Sequence, residues 1–329
     1  DASGRRTGAD VHVCYSPAFI ALGSVIRNFL HPDFVLVGES DARAGEHLEQ
    51  AYREILPDAP PVRRMTLENA ELAKIAVNTF VTTKISFANM LADLCERIPG
   101  GDVDVVTDAL GLDRRIGRAY LTGALGYGGP CFPRDNQALS FLARALGTAA
   151  PIAEATDAVN RALPLRLAER LRGVADARGT VAVLGLAYKP ATPVVDESQS
   201  VQIGRALAAA GARVRGHDPL AGAAVRECHG GEIDVCDELQ ACIDGADVVL
   251  VCSPEACYRE LDASRFGRAG PQVVVDFWRV LDPGVAASGR VEYHAIGRGS
   301  DEPGQSLLRS LWGEPAQAPE EPAAAAAGT

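Results

Sequence analysis

The stretch Gly179-Thr180-Val181-Ala182-Val183-Leu184-Gly185-Leu186-Ala187-Tyr188-Lys189 decides the fold class. Residues 180–184 are all β-branched or apolar, lie between two glycines and show no polar alternation. That is the pattern of a strand buried on both faces. A helix is expected over Val201–Ala210, then a strand over Arg213–Gly216 ending at His217-Asp218-Pro219. A helix over Leu239–Ile243 and strands over Asp247–Cys252 and Gln272–Asp276 continue the alternation. Strands alternating with helices build right-handed crossovers and a doubly wound parallel sheet, whose ligands bind beyond the carboxyl ends of the strands. The tips that matter are therefore Gly185–Lys189, His217–Pro219, Ser253–Pro254 and Phe277–Arg279. The first tip lacks a full G-x-G-x-x-G, so it is an incomplete dinucleotide signature. Lys189 there can take a diphosphate or simply close an ordinary loop. Trp278-Arg279 adds an aromatic face and a guanidinium to the same crevice.

Upstream of Gly179 the texture is helical. From Leu67 to Ile98, behind a capping Thr66, apolar residues recur at Leu72, Ile75, Ala76, Phe80, Phe87, Leu91 and Leu94. Without Gly or Pro, this predicts a helix of ~45 Å, long enough to bridge domains or subunits. Val103–Leu110, Asn136–Leu146 and Ile152 to about Val174 read as further helices around one elaborate loop, Gly123 to Pro133. In the first sixty residues, Val11–Cys14 and Phe34–Gly38 read as strands, and Ser40 or Asp41 caps a helix ending near Ile55 and Pro57. The chain opens on Asp1 without a Met, like a loop cut mid-protein. Its low-complexity end, Glu314 to Thr329, is expected to be disordered.

Composition narrows the function classes. The 329 residues are 47% hydrophobic and 23% charged, an ordinary globular balance. Forty-three acids against 32 bases leave a net charge of −11, with arginines scattered singly or in pairs, which argues against a nucleic-acid surface. No apolar run approaches the ~20 residues needed to span a bilayer, and no secretory signal opens the chain. The eight cysteines form no CxxC and no zinc spacing, so buried free thiols in the cytoplasm and no metal site are expected.

Two constellations carry chemistry. Cys131 is the one cysteine in an irregular, glycine-rich setting, between Pro130 and Pro133 and four residues before Asp135. A thiol there is either a pre-shaped nucleophile or an incidental residue of a surface turn. Lys74 and Asn78 stand i, i+4 on one face of the long helix, where a cation and an amide can stabilise an oxyanion. The same spacing also describes a solvated lysine beside an ordinary helical asparagine. His217 and His229 lack partners at metal-ligand spacing and read as packing or surface residues.

Taken together, the motifs resemble the UDP-glucose/GDP-mannose dehydrogenase family. The resemblance rests on Ala70-Glu-Leu-Ala-Lys74-Ile-Ala-Val-Asn78, on Arg115-Ile-Gly117 with Gly126-Tyr-Gly-Gly-Pro-Cys131-Phe-Pro-Arg-Asp135, and on Gly185-Leu-Ala-Tyr-Lys189-Pro. Ser16-Pro-Ala-Phe-Ile-Ala-Leu-Gly23 and Pro32-Asp-Phe-Val-Leu-Val-Gly38 extend it, so that it runs from about residue 10 to 310. It implies NAD-dependent, four-electron oxidation of a nucleotide sugar, a UDP-sugar first of all, from alcohol to carboxylate at C6. Cys131 would trap the aldehyde and carry the acyl group as a thioester. Lys74 and Asn78 would hold the oxygen at C6, and Asp135 would position or activate water. Phe19, Ile20, Tyr120, Thr122, Gly126, Tyr127, Gly128, Tyr188, Lys189 and Arg279 would contact the nucleotide sugar, and Arg115 would reach a neighbouring subunit's sugar site. Cys131, Phe132 and Arg134 would face NAD. The helix over 67–98 would form the core of a homodimer.

The resemblance also implies an architecture: α/β, with residues 1–60 the stub of an N-terminal Rossmann domain and 61–165 a helical central domain. Residues 166–313 would form a C-terminal, Rossmann-like, doubly wound domain, and 314–329 a disordered tail. Three departures stand out. The family's N-terminal strand, glycine fingerprint and ribose-binding acid are missing, so a fragment is expected. The family's Pro-Glu-Phe reads Pro17-Ala18-Phe19, and a second acid is Leu22. A methyl group takes no proton from water, so thioester hydrolysis is expected to be slow. An arginine that contacts the cofactor falls on Asp196. The alternatives are a non-catalytic nucleotide-sugar binding module, a variant that stops at the aldehyde or acyl-enzyme, and an unrelated thiol enzyme using Cys131.

Overall fold

The computed structural model describes residues 3–7, 10–172, 179–267 and 272–299. It is an α/β protein with a small N-terminal sheet, a helical middle and a C-terminal parallel sheet. The N-terminal part holds β1 (Cys14–Tyr15), α1 (Val25–Leu30), β2 (Val35–Glu39), α2 (Ala42–Ile55) and β3 (Val62–Thr66). The strands lie in the order β1-β2-β3, β1 antiparallel and β3 parallel to β2. Val35, Val37 and Leu56 form its core with Leu48, Tyr52 and Val62. Asp41 caps α2 by accepting the Ala44 N–H at 3.1 Å. That leaves β1, α1 and β3 as differences from the sequence reading. Only Cys14 of the run Val11–Cys14 is in a strand, and β3 was hidden by Arg63-Arg64.

The middle consists of α3 (Leu67–Cys95), α4 (Val103–Leu112), α5 (Phe132–Ala145) and α6 (Pro151–Leu171). Thr66 caps α3 through the Asn69 N–H. Where α3 leaves the small sheet it runs close against β2: a Cβ on Gly38 would lie 2.7 Å from the Ala70 Cβ. Helix α5 starts four residues earlier than expected, because Phe132-Pro133 forms its first turn. Proline is tolerated there, since the amide it lacks would have no helical partner. Helix α6 ends at Leu171; the end expected near Val174, like the tail over 314–329, falls outside the described residues.

The C-terminal sheet is built from β4 (Thr180–Leu184), α7 (Gln199–Ala209), β5 (Arg213–His217), α8 (Gly222–His229), β6 (Asp234–Val235), α9 (Leu239–Ile243), β7 (Val248–Val251), α10 (Ala256–Arg259), β8 (Gln272–Asp276), α11 (Pro283–Ala287) and β9 (Val291–Ala295). All six strands are parallel, in the order β6-β5-β4-β7-β8-β9. This is the doubly wound order of a dinucleotide-type sheet, with its switch point between β4 and β7. Alternate residues of β4 and β7 feed opposite layers. Val181, Val183 and Leu250 pack with Leu163, Leu167, Ile203 and Leu207, whereas Ala182, Leu184, Val249 and Val251 pack with Ile243, Tyr258 and Phe266. Helix α6 therefore belongs to both the helical middle and the sheet.

The two parts are locked by Arg279, which has a positive φ of 55° and a side chain only 1% exposed. Its guanidinium forks onto Asp104 of α4 at 2.8 and 2.9 Å and donates to the carbonyls of Gly123, Thr122, Phe277 and Ile296.

Candidate functional site

A cavity of about 490 Å³ lies where the N-terminal segment, α3, the glycine loop and the β4 tip converge. Each wall has a local cause. Helix α3 presents Lys74, Val77, Asn78 and Val81, consecutive positions of one face at i, i+3, i+4 and i+7. The loop from Gly128 to Cys131 enters beside them, and Cys131, exposed, is the N-cap of α5. Tyr188 and Lys189 close the far side from the tip of β4, and Phe19 to Leu22 form a strap across the opening.

Polar contacts order this wall. Asn78 Nδ2 donates to Asp135 Oδ2 at 2.5 Å, and Asp135, 4% exposed, also accepts from Arg134 Nε at 3.2 Å. Asp135 stands one turn into α5, its N–H bonded to the Cys131 carbonyl at 2.9 Å. The thiol, the amide and the carboxylate are thus brought together by two packed helices. Lys74 Nζ donates to the Ala18 carbonyl at 3.1 Å and stands 4.4 Å from the centre of the Phe19 ring. Lys189 Nζ donates to the Leu22 carbonyl at 2.6 Å, and burial pushes its ammonium below the usual lysine range. Both amines therefore hold the same strap. Burial, and then the neighbouring Cys131 and Tyr120, push the Tyr188 hydroxyl up.

Phe19, Ile20, Tyr120, Gly128, Cys131, Phe132, Tyr188 and Lys189 all line this cavity. Tyr120 holds a φ of 65° and meets the Phe132 ring edge-on at 6.4 Å. Gly126 lines a narrower cleft with Leu125, Gln199, Ser253 and Trp278, at the switch point of the sheet. Several expected site residues stand elsewhere. Arg279 is consumed by Asp104 and backbone carbonyls, and Thr122 offers its carbonyl to that same guanidinium. The Tyr127 side chain is buried among the helices, its hydroxyl accepting from Asn136 Nδ2 at 2.8 Å. Arg115 is 89% exposed and clamped to Asp113, and Arg134 lies outside the cavity on the Asp135 carboxylate. Asp196 meets the glycine loop through its backbone carbonyl, which accepts the Gly129 N–H at 2.8 Å.

Residues not singled out from the sequence also line the cavity: Asn28, His31, Asp33 and Phe34. Phe34 packs on Phe19 with ring centres 4.9 Å apart, and His31 Nδ1 bonds Asp58 at 2.5 Å. Nothing local marks Asn28 and His31, because α1, which carries the one and is capped by the other, has no buried residue and hence no periodic apolar face. Among the described residues no group of His, Cys, Asp and Glu has the geometry of a metal site. No helix among them is long and apolar enough to cross a membrane.

Comparison with known proteins decides the relationship. Residues 68–162 match the central domain of the UDP-glucose/GDP-mannose dehydrogenase family, and 182–283 match that family's UDP binding domain. The UDP-glucose 6-dehydrogenase of Pseudomonas aeruginosa is 34% identical over 303 residues, covering 89% of this chain and 67% of the relative. The chain belongs to this family. A UDP-glucose 6-dehydrogenase of Haloferax volcanii is 37% identical over 284 residues, covering 85% of this chain and 65% of the relative. The structure of a UDP-glucose dehydrogenase from Pyrobaculum islandicum superposes with a TM-score of 0.78 at 34% identity, over 88% of this chain and 65% of that one. The chain thus spans about two thirds of the length of these dehydrogenases.

Proposed function

We propose that the Cys131 cavity is where a UDP-sugar is oxidised at C6 from alcohol to carboxylate, with Cys131 as the nucleophile. One observation carries the proposal: an exposed thiol, an ammonium and a carboxylate-held amide share one cavity with the β4 tip of a dinucleotide-type sheet. The Lys189 ammonium and the Tyr188 ring would receive the diphosphate and ribose. The sugar would then extend toward Cys131 between Asn78 and the strap.

The family's cofactor is NAD, which accepts hydride when bound. Among the described residues, neither β2 nor β3 is followed by a glycine-rich turn into its helix. Neither strand offers the dinucleotide a phosphate cradle. What this chain's own groups do is add and hold. The Cys131 thiolate attacks the C6 aldehyde carbon, a C–S bond forms, and the carbonyl π pair becomes an alkoxide. Lys74 and the Asn78 amide stabilise that oxyanion, Asp135 having aimed the amide by accepting its other N–H. At the thioester stage the thiolate is the leaving group and water the nucleophile.

A second reading follows from Ala18. Its methyl group stands where the family has a carboxylate, and its carbonyl is taken by Lys74. On this reading hydrolysis is the slow half and the acyl-enzyme accumulates. For assembly, we propose a homodimer through α3, whose Phe80, Phe87, Met90 and Leu94 leave 45–66% of their surface exposed along one face.

The test is calorimetry of the full chain with UDP and UDP-glucose, followed by the UDP-sugar 6-aldehyde labelled with carbon-13 at C6. Binding, with a new thiohemiacetal resonance absent in Cys131→Ser, supports the proposal. An aldehyde bound with no bond to sulfur refutes the nucleophile.

A further inference from the structure

The loop that delivers Cys131 has no regular structure from Gly123 to Pro130, yet Tyr127 at its centre is only 3% exposed. Asn89 of α3 holds its first half, accepting the Ala124 N–H at 2.9 Å and donating to the Leu125 carbonyl at 3.2 Å, and the Tyr127 backbone is read by another asparagine. Asn160 of α6 accepts the Tyr127 N–H at Oδ1 and donates from Nδ2 to the Tyr127 carbonyl, both at 2.9 Å. This is the pairing a neighbouring strand would supply. Asn136 of α5, fully buried, uses both hydrogens of its amide: one to the Tyr127 hydroxyl at 2.8 Å, one to Thr82 Oγ1 at 3.1 Å. Thr82 of α3, also fully buried, donates to the Thr79 carbonyl at 2.9 Å.

The placement of these groups matters more than their number. Thr82 is one turn beyond Asn78 on α3, and Asn136 is the residue after Asp135 on α5. The two helices that bring Asn78 and Asp135 to the cavity therefore also bring, one step deeper, the groups that grip the loop. The fit is close. A Cβ on Gly126 would lie 2.2 Å from Asn160 Oδ1, so only glycine lets the backbone pass. Gly129, with φ 81°, is pinned on the opposite side by the Asp196 carbonyl. A buried network with its hydrogens paired contributes direction and rigidity, while each bond adds only about 0.5–1.5 kcal/mol net.

We propose that Asn160, Asn136 and Thr82 are positioning residues that set the aim of Cys131 relative to Asn78. This role rests on the reading of Cys131 as the nucleophile. Misplacing a reacting atom by about 1 Å costs up to about a hundredfold. Loosening the network therefore penalises oriented addition and leaves events that need only an accessible thiol untouched.

The experiment uses the full chain carrying Thr82→Val, which keeps shape and removes the hydroxyl, or Asn160→Asp, which sets a second acceptor against the Tyr127 carbonyl. Three quantities are read: UDP affinity by calorimetry, addition of the carbon-13 UDP-sugar 6-aldehyde at sulfur, and the pH–rate profile of Cys131 alkylation by iodoacetamide. Both variants should bind UDP as the unsubstituted chain does and keep its alkylation profile, while aldehyde addition falls about ten- to a hundredfold. Thr82→Ser should restore it. Addition that is unchanged while UDP still binds overturns the positioning role, as does a loss of addition that Thr82→Ser fails to restore. If Asn160→Asp does not fold, the isosteric Thr82→Val decides. An unsubstituted chain that binds UDP and never adds aldehyde refutes the nucleophile itself, and the positioning role with it.

Discussion

Replacing Glu96 by Gln should stabilise the protein, and increasingly so as pH rises. Glu96 caps α3, and its Oε1 accepts the Gly297 N–H at 2.7 Å, while Oε2 is buried with no hydrogen-bond partner among the described residues. Burial first, and then the Asp93 carboxylate one turn back, raise its carboxyl to about 8, against the opposing pull of the Gly297 N–H and then of Arg170 and Arg97. The residue belongs to a seam that joins the end of β9 to the turn between α3 and α4. The same seam includes Val103 N–H to the Gly297 carbonyl at 2.9 Å and Gly299 N–H to the Gly101 carbonyl at 2.8 Å.

The sign follows from which state holds the proton. In the unfolded chain the carboxyl titrates at its ordinary value of 4.5, and in the folded chain at about 8. Between those values the unfolded state releases a proton that the folded state keeps, so rising pH favours unfolding. Stability is whole below the unfolded value and is lost as pH rises through the folded one. At 1.36 kcal/mol per unit, the loss is about 3 kcal/mol at pH 7 and about 5 kcal/mol at its limit above pH 8. Gln keeps the acceptor for Gly297 and never ionises. Urea denaturation of both chains at several pH values from about 5 to about 9 isolates Glu96 with its coupling to Asp93, because titrations elsewhere cancel in the difference. The gap should open with pH and level off above about 8. Parallel curves would refute the argument.

Three further outcomes follow. Arg279→Met should cost about 3–5 kcal/mol in denaturant stability, because it leaves Asp104 with Arg298 alone, at 3.6 Å, and strands four carbonyls that one buried guanidinium now serves; a loss below about 1 kcal/mol would mean that water replaces it. Gly126→Ala should cost about 1–3 kcal/mol and weaken UDP binding, since its Cβ would lie 2.2 Å from Asn160 Oδ1 and 2.7 Å from Gln199 Oε1; calorimetric affinity equal to that of the unsubstituted chain would count against a nucleotide in that cleft. Phe80→Glu with Phe87→Glu should convert a dimer to a monomer by light scattering with circular dichroism intact, and an unchanged mass would remove α3 as the interface.

Legibility in the sequence tracked the number of faces an element buries. Strands β4 and β7 bury both faces, so their apolar runs are continuous and stand out. The edge strand β9, Val291-Glu-Tyr-His-Ala, has only His294 buried, and β3 carries two arginines; neither presents such a run. Helix α1 buries nothing, and the cavity wall it brings in was invisible for the same reason. The placement of candidate side chains was legible where spacing along one helix is the geometry itself, as with Lys74 and Asn78, which line one cavity wall. It failed where a partner comes from far along the chain. Arg279 sits at a strand tip, and tips of such sheets face the ligand crevice. A left-handed backbone turn instead sends its side chain inward to Asp104, 175 residues upstream. Tyr127 went the same way, its ring drawn among the helices by Asn136 and its backbone by Asn160. A loop residue that looks like a ligand contact can thus be the anchor that gives the loop its shape, and a glycine-rich stretch can owe its form to asparagines on helices packed beneath it.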